Sequence, residues 1–281
     1  MAPALYVADS YYIVPRMDQP EYLGCLMEIC EKERIDIVLP LQEDELILIA
    51  KYKQMFLEKG ILPVISEYEK VCLCRDKYML NKTLLEYEIS AVPTFLGKEY
   101  LQQNVEDNEV ILKPRFGAGS VSTFRVSNRR LLTALVHEMD EEFVVQPFMR
   151  GKEFGVDVYV DIFSGEVVSC FCKEKLRMRA GETEKSISVI NEEIENLVTD
   201  AVTRLGLKGP LDVDIMEQDG VYYILEINPR FGGGYPHAYL CGVSFPKYIA
   251  CNGRRETNRA SMHNYVENSI ALKYSDVFIV D

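Results

Sequence analysis

The stretch LDVDIMEQDGVYYILEIN carries four oxygen-bearing side chains, Asp212, Asp214, Glu226 and Asn228, on two strand-like runs joined across Gln218-Asp219-Gly220. Alternation puts Asp212 and Asp214 on one face of the first strand, and Glu226 with Asn228 on one face of the second. Opposed or diagonal cross-strand positions lie about 5 to 8 Å apart, so carboxylates there repel unless a cation comes between them. With no histidine or cysteine in the set, the donors select a hard ion, and Mg2+ takes one or two carboxylates plus the phosphates of a substrate. A magnesium nucleotide suits this set; the alternative is a solvated acidic face on a surface hairpin. Glu226 speaks against that alternative, because it is flanked by Leu225 and Ile227 and runs at once into NPRFGGG.

A second pattern is VILKPRFGAGS, a strand that delivers Lys113 and then opens into Gly117, Ala118, Gly119 and Ser120. Small residues let consecutive backbone N–H groups turn toward one anion, and the ammonium adds a full charge, which makes a phosphate cradle. No Gly-Lys-Ser/Thr opens a helix here, so the loop is not a P-loop; by itself it reads equally well as a hairpin turn. The run KEKLRMRAGETEK sets Lys173, Lys175, Arg177 and Arg179 at every second position. It is a local exception to a formal charge of −13, whose far field repels nucleic-acid phosphates and anionic membranes, so neither is an expected partner. His137 and His263 read as structural, and His237, after the glycine run, falls on the substrate side of the acidic hairpin. No serine or cysteine has the setting of a nucleophile elbow.

These residues need elements to hold them. The chain has 281 residues, 48% hydrophobic and 27% charged, a globular composition long enough for roughly two domains. It has no apolar run of about 20 residues and no basic-then-apolar leader, so a cytoplasmic protein is expected. Eight cysteines, the nearest pairs spaced Cys-x-Cys at Cys72/Cys74 and Cys170/Cys172, read as reduced thiols. Over residues 1–70, short strands alternate with helices: Leu23, Leu26, Met27 and Cys30 mark a helix, IDIVLP (35–40) a buried strand, 43–59 a second helix stopped at Gly60, and ILPVI another strand. That order predicts a parallel α/β sheet. A helix from Asp76 to Glu88 follows, and then strands at 109–114, 122–127 and 142–148 enclose a helix at 129–140. EFGVDVYVDIF alternates as a half-buried antiparallel strand and turns at Ser164-Gly165 into GEVVSCFCKEK. A helix over 192–205, stopped by Gly206, leads into the acidic hairpin.

In this order, Asp76-Lys77, VILKPRFGAGS, VVQPFMRGKEF, GPLDVDIM and LEINPRFGGG resemble the ATP-grasp ligases, in particular stand-alone relatives of the carbamoyl-phosphate synthetase large subunit. D-alanine:D-alanine ligase and biotin carboxylase are more distantly similar. The resemblance spans residues 75 to about 250. It implies an α/β and α+β molecule: an ATP-grasp fold at 75–147 and 148–281 behind a shortened parallel α/β domain at 1–74. It also implies ATP and Mg2+ as cofactors. Lys77 and Lys113 match lysines that neutralise ATP phosphates, and Gly117, Ala118, Gly119 and Ser120 match a flap expected to be mobile over 115–122. Gln146, Phe148 and Met149 match the hinge beside the adenine slot, and Glu153 the carboxylate that accepts from the ribose hydroxyls. Asp214, Glu226 and Asn228 match the metal ligands, with Asp214 standing where such motifs often carry glutamine. Arg230 matches the positive group beside the transferred phosphate. Lys173, Lys175 and Arg177 fall where relatives place a phosphate-facing cation, Lys173 and Lys175 being the catalytic candidates, and alternation, which makes all three co-facial, does not separate them.

The chemistry so implied is attack of a small carboxylate on the γ-phosphate, followed by displacement of phosphate from the acylphosphate by an amine. Glu182 and Glu184 are candidate neighbours of that amine. Carbamoyl-phosphate or bicarbonate-type phosphorylation and a non-catalytic ATP-binding protein are the alternatives, and a homodimer is a common arrangement among such relatives. In those relatives a strand, helix and strand precede the stretch matching ALYVADSYYIVP. About forty residues are therefore expected to be missing, leaving no more than three parallel strands, near 11–14, 36–40 and 61–65, with an edge open to another chain.

Overall fold

The computed structural model describes residues 3–103, 109–117, 122–139, 142–179, 181–275, 277 and 279. Helix α1 (Glu21–Glu33) buries Tyr22, Met27 and Cys30 and leads to β1 (Ile37–Val38). Helices α2 (Glu43–Lys51) and α3 (Lys53–Glu58) stand where one helix is predicted, because Tyr52 leaves helical geometry at φ −106°, ψ 19°. Strand β2 (Leu62–Pro63) pairs with β1 in parallel, Ile37 opposite Leu62. This small sheet has two strands, within the expected bound of no more than three. The 11–14 segment forms no strand; Tyr11 and Ile13 are exposed, and Tyr12 is tied by its hydroxyl to Glu33 and by its ring to Lys32 on α1. Side-chain contacts hold it where a ladder is expected.

After α4 (Tyr68–Arg75), Asp76 caps α5 (Lys77–Glu86) by accepting from the Tyr78 and Met79 amides. Strand β3 (Phe95–Leu96), α6 (Gly97–Gln102), β4 (Val110–Pro114), β5 (Phe124–Val126), α7 (Arg129–Met139) and β6 (Phe143–Pro147) follow. They build a four-stranded sheet in the order β3-β6-β4-β5. Its apolar side packs on α6 and α7 through Tyr100, Leu112, Val136 and Val145.

Next come β7 (Glu153–Val160), β8 (Val167–Arg179), β9 (Glu182–Val189), α8 (Glu192–Leu205), β10 (Gly209–Gln218) and β11 (Val221–Asn228). Helices α9 (Tyr235–Leu240) and α10 (Phe245–Gly253) and strand β12 (Ile270–Leu272) end the described chain's regular structure. The sheet order is β11-β10-β7-β8-β9-β12, antiparallel throughout. One face buries Val156, Val158, Cys170, Cys172, Val213 and Ile215 against Ile194, Val198 and Leu205 of α8. Its other face carries Tyr159 and Phe171 against Tyr235 and Phe245 of the following helices. The two larger sheets are joined directly: the Val92 amide donates to Ile224 O and the Ile224 amide to Ser90 O, so residues 90–92 close the free edge of β11.

Candidate functional site

The hairpin β10–β11 sets Asp214 directly opposite Glu226 and Asp212 opposite Asn228. Between Asp214 and Ile215 the register shifts, so that Ile215 faces Ile224 and Leu225 is the extra residue of a bulge. Simple alternation would send one of two neighbours into the core. The bulge instead leaves Ile224 and Ile227 buried while both Leu225 and Glu226 line a cavity of about 660 Å³.

That cavity gathers most of the residues singled out from the sequence. Lys77, Lys113, Gly117, Gln146, Phe148, Met149, Glu153, Asp214 and Glu226 all line it. Asn228, with Glu226 and Lys77, borders a small adjoining recess. Ala118, Gly119 and Ser120 lie outside the described residues, and so does most of the 115–122 segment whose mobility is expected.

Strand β4 carries Lys113 into the cavity, where it is only 8% exposed. Burial lowers its pKa; the charges of Glu226, Asp214 and Glu153 oppose that, and Lys77 adds to it. Lys77, at the first position of α5, donates to Gly117 O at 2.6 Å. Arg115 makes a two-point contact with Asp76, at 2.8 and 2.6 Å, which fastens the start of the loop to the start of that helix. The wall at Gln146 is locked: buried Gln146 donates to Thr94 Oγ1 at 2.8 Å, and Thr94 Oγ1 donates to Val92 O at 2.9 Å. Phe148 lies under the Arg125 guanidinium, 3.8 Å from its ring centre.

The two lysines of β8 part company. Lys175 donates to Glu153 Oε1 at 2.7 Å and to Asp214 Oδ1 at 2.6 Å. Lys173, facing the same way, is 1% exposed and ion-paired with the equally buried Asp157 of β7. The sequence placed both lysines toward the phosphates. Neither lysine itself lines the cavity: Lys175 is bound to two residues that do, Glu153 and Asp214, whereas Asp157 takes the Lys173 ammonium and the backbone at Gly234 lies against its stem, where a Cβ would stand 2.7 Å from Lys173 Cε.

Arg230 lies outside that cavity, between Glu43 Oε1 of α2 at 3.1 Å and Asp212 Oδ2 at 3.6 Å. Burial, then the charges of Asp214 and Asp157, push the Asp212 carboxyl up to about 7. Glu184 pairs with the exposed Arg177 and Arg179, and Glu182 with Lys273 at 3.0 Å, so both candidate amine neighbours hold cations of their own. His237 is buried, with Nδ1 2.8 Å from Ser186 Oγ; burial and the Lys173 charge lower its pKa to about 4. His137 is exposed on α7, and His263 contacts Glu195 of α8.

Among the described residues no three His, Cys, Asp or Glu side chains gather to hold a metal ion. A closed all-protein cage is therefore absent there. Asp214 and Glu226 instead make an open pair of hard oxygen donors with the Asn228 amide beside it, which fits a magnesium ion that completes its shell from phosphates.

The sequence profile of the ATP-grasp domain matches residues 74–234, more than half of the chain. The chain belongs to the ATP-grasp family. A PylC-like N-terminal domain profile matches residues 1–65. The carbamoyl phosphate synthase large chain of Clostridium perfringens is 22% identical over 258 residues, covering 85% of this chain and 23% of that protein. The D-alanine–D-alanine ligase of Fervidobacterium nodosum is 28% identical over 202 residues, 60% of this chain and 64% of that one. Among solved structures, the biotin carboxylase domain of Hydrogenobacter thermophilus 2-oxoglutarate carboxylase superposes with a TM-score of 0.77 at 17% identity, over 95% of this chain and 64% of that chain. The chain thus spans less than two thirds of each of these relatives, and the fold is the ATP-grasp fold behind a small N-terminal unit. No helix among the described residues is long and apolar enough to cross a membrane.

Asp157 and Glu43 are the neighbours of the site that sequence reading missed. Asp157 had a signal, since alternation places it with Gly155 on the face that meets Lys173. Glu43 had none, its partner Arg230 being 187 residues away.

Proposed function

We propose that this chain is an ATP- and Mg2+-dependent ligase that activates a small carboxylate as an acylphosphate for attack by an amine. One observation carries the reading: a buried lysine, Lys113, and two opposed carboxylates, Asp214 and Glu226, line one cavity together with Gln146 of the neighbouring strand β6 and Phe148 just after it. A buried ammonium set against carboxylates in this way is suited to polyanionic phosphates that arrive with their own metal. In this reading Lys77 and Lys113 hold the phosphates, Gln146, Phe148 and Met149 border the base, and Glu153 accepts from the ribose. Asp214, Glu226 and Asn228 would hold magnesium, which when bound supplies charge neutralisation at the phosphates. Arg230, steadied by Glu43 and Asp212, stands beside the carboxylate being phosphorylated. Alignment and charge, rather than a strong base, do the chemistry. The membership in a family that includes a D-alanine–D-alanine ligase supports a carboxylate and an amine as substrates. Eight cysteines, all free, support a reducing cytoplasmic setting.

The test is ADP release screened over pairs of amino acids and other small carboxylates, with hydroxylamine present as a trap. Formation of an acyl hydroxamate together with ADP is the expected result. ADP release without a hydroxamate would turn the assignment to a kinase or bicarbonate-type route, and no ATP turnover with any pair would leave a non-catalytic ATP-binding protein.

A further inference from the structure

Lys175 stands where two other partners of the site would have to act. Its ammonium bridges Glu153 Oε1 at 2.7 Å and Asp214 Oδ1 at 2.6 Å, with the side chain 5% exposed. The two carboxylates come from different strands, β7 and β10, and in the function proposed above they have different duties, one toward the ribose and one toward the metal. A single ammonium engages both. Its stem crosses the backbone at Gly155, where a Cβ would lie 3.1 Å from Lys175 Cε and 3.3 Å from Lys173 Cε. Glycine at this strand position leaves the track on which both lysines lie.

An ammonium and a divalent ion cannot both rest against Asp214 in a water-poor cavity, because like charges at such a spacing repel strongly. Lys113 compensates Glu226, and leaving Asp214 opposed to Glu226 without a cation of its own is equally costly. The site therefore needs one positive partner at Asp214 at all times. We propose that Lys175 is a resident counter-ion, which holds the place of the metal in the nucleotide-free chain and moves on to the phosphates when the magnesium nucleotide enters. The inference rests on the nucleotide reading of this site and deepens it. The exchange moves no proton: an ammonium leaves two carboxylates, the metal and the ribose hydroxyls take them, and the phosphates receive the ammonium. It also orders binding, since a bare metal ion has to evict Lys175 without the phosphates that would accept it. Lys175 is in this sense a positioning residue for cofactor entry.

The experiment uses Mn2+ as the spectroscopic probe, with free Mn2+ measured by electron paramagnetic resonance against the full chain, with and without ADP. Wild type is expected to bind Mn2+ weakly alone and far more tightly with ADP. Lys175→Met and Lys175→Gln are expected to bind Mn2+ without nucleotide at least about tenfold more tightly than wild type, the effect of removing one competing ion pair. Equal binding by wild type and both variants without ADP, with normal uptake in its presence, would overturn the counter-ion role and leave the nucleotide reading standing. No Mn2+ uptake with ADP by any of the three would bring down both. Should the variants fail to fold, wild type decides alone: Mn2+ binding as tight without ADP as with it would refute the exchange.

Discussion

Glu226 faces Asp214 across the hairpin, with the Lys113 ammonium as its nearest compensation. Replacing it by alanine removes one hard donor and also relieves the repulsion between two carboxylates. Glu226→Ala is therefore expected to lower ATP turnover by about two orders of magnitude or more while moving the melting temperature by only a few degrees, about what a 1 kcal/mol change would do. Turnover and thermal melting measured on one preparation check both halves. His237 gives a second residue-scale expectation. Its pKa falls from 6.5 in the unfolded chain to about 4 in the fold, so between those values the unfolded state binds the extra proton. Stability is thus fully present above about pH 6.5 and is lost as the pH falls toward 4, by up to about 3 kcal/mol. Urea unfolding across that window measures the slope, and His237→Asn is expected to flatten it. Lys113, Asp214 and Glu226 were legible in the sequence because strand alternation is a local rule. The choice between Lys173 and Lys175 was not, because both share a face and only the partners across the sheet, Asp157 for one and Glu153 with Asp214 for the other, tell them apart.

At the scale of elements, the bulge in β11 adds Leu225 to the cavity wall beside Glu226. Deleting Leu225 would restore a regular ladder with Ile224 still opposite Ile215 and Glu226 still opposite Asp214, and would remove only the apolar side chain that the bulge adds to the cavity. The expected outcome is weaker nucleotide binding by isothermal titration, because one apolar wall contact is lost, with the melting temperature moved by only a few degrees. Sequence reading found both strands and their turn, since the alternation on either side of Asp219-Gly220 is clean, but passed over the bulge, which shows only as Leu225 and Glu226 side by side. It likewise merged α2 with α3, because nothing in the apolar spacing marks the break at Tyr52. The third parallel strand expected near 11–14 failed for a physical reason: Tyr12 finds side-chain partners on α1, and no ladder forms.

For the whole molecule, Glu43 would, in the function proposed, make the N-terminal unit part of the chemistry, because it holds Arg230 from a helix far away along the chain. Glu43→Gln keeps the shape and removes the charge, and is expected to lower kcat about tenfold with little change in the KM for ATP. Steady-state kinetics separate that pattern from simple instability, which would lower the amount of active protein without regard to substrate. The short strap at residues 90–92 carries a last consequence. The Val92 amide of the strap donates to Ile224 O of β11, the Ile224 amide donates back to Ser90 O of the strap, and Gln146 reaches the same strap through Thr94. The wall bearing Gln146 and the strand bearing Glu226 therefore share a pivot, and the two are expected to open together. In hydrogen–deuterium exchange the amides of Val92 and Ile224 are expected to exchange at one common rate and to slow together when nucleotide binds. Unequal slowing would mean that the two walls open independently.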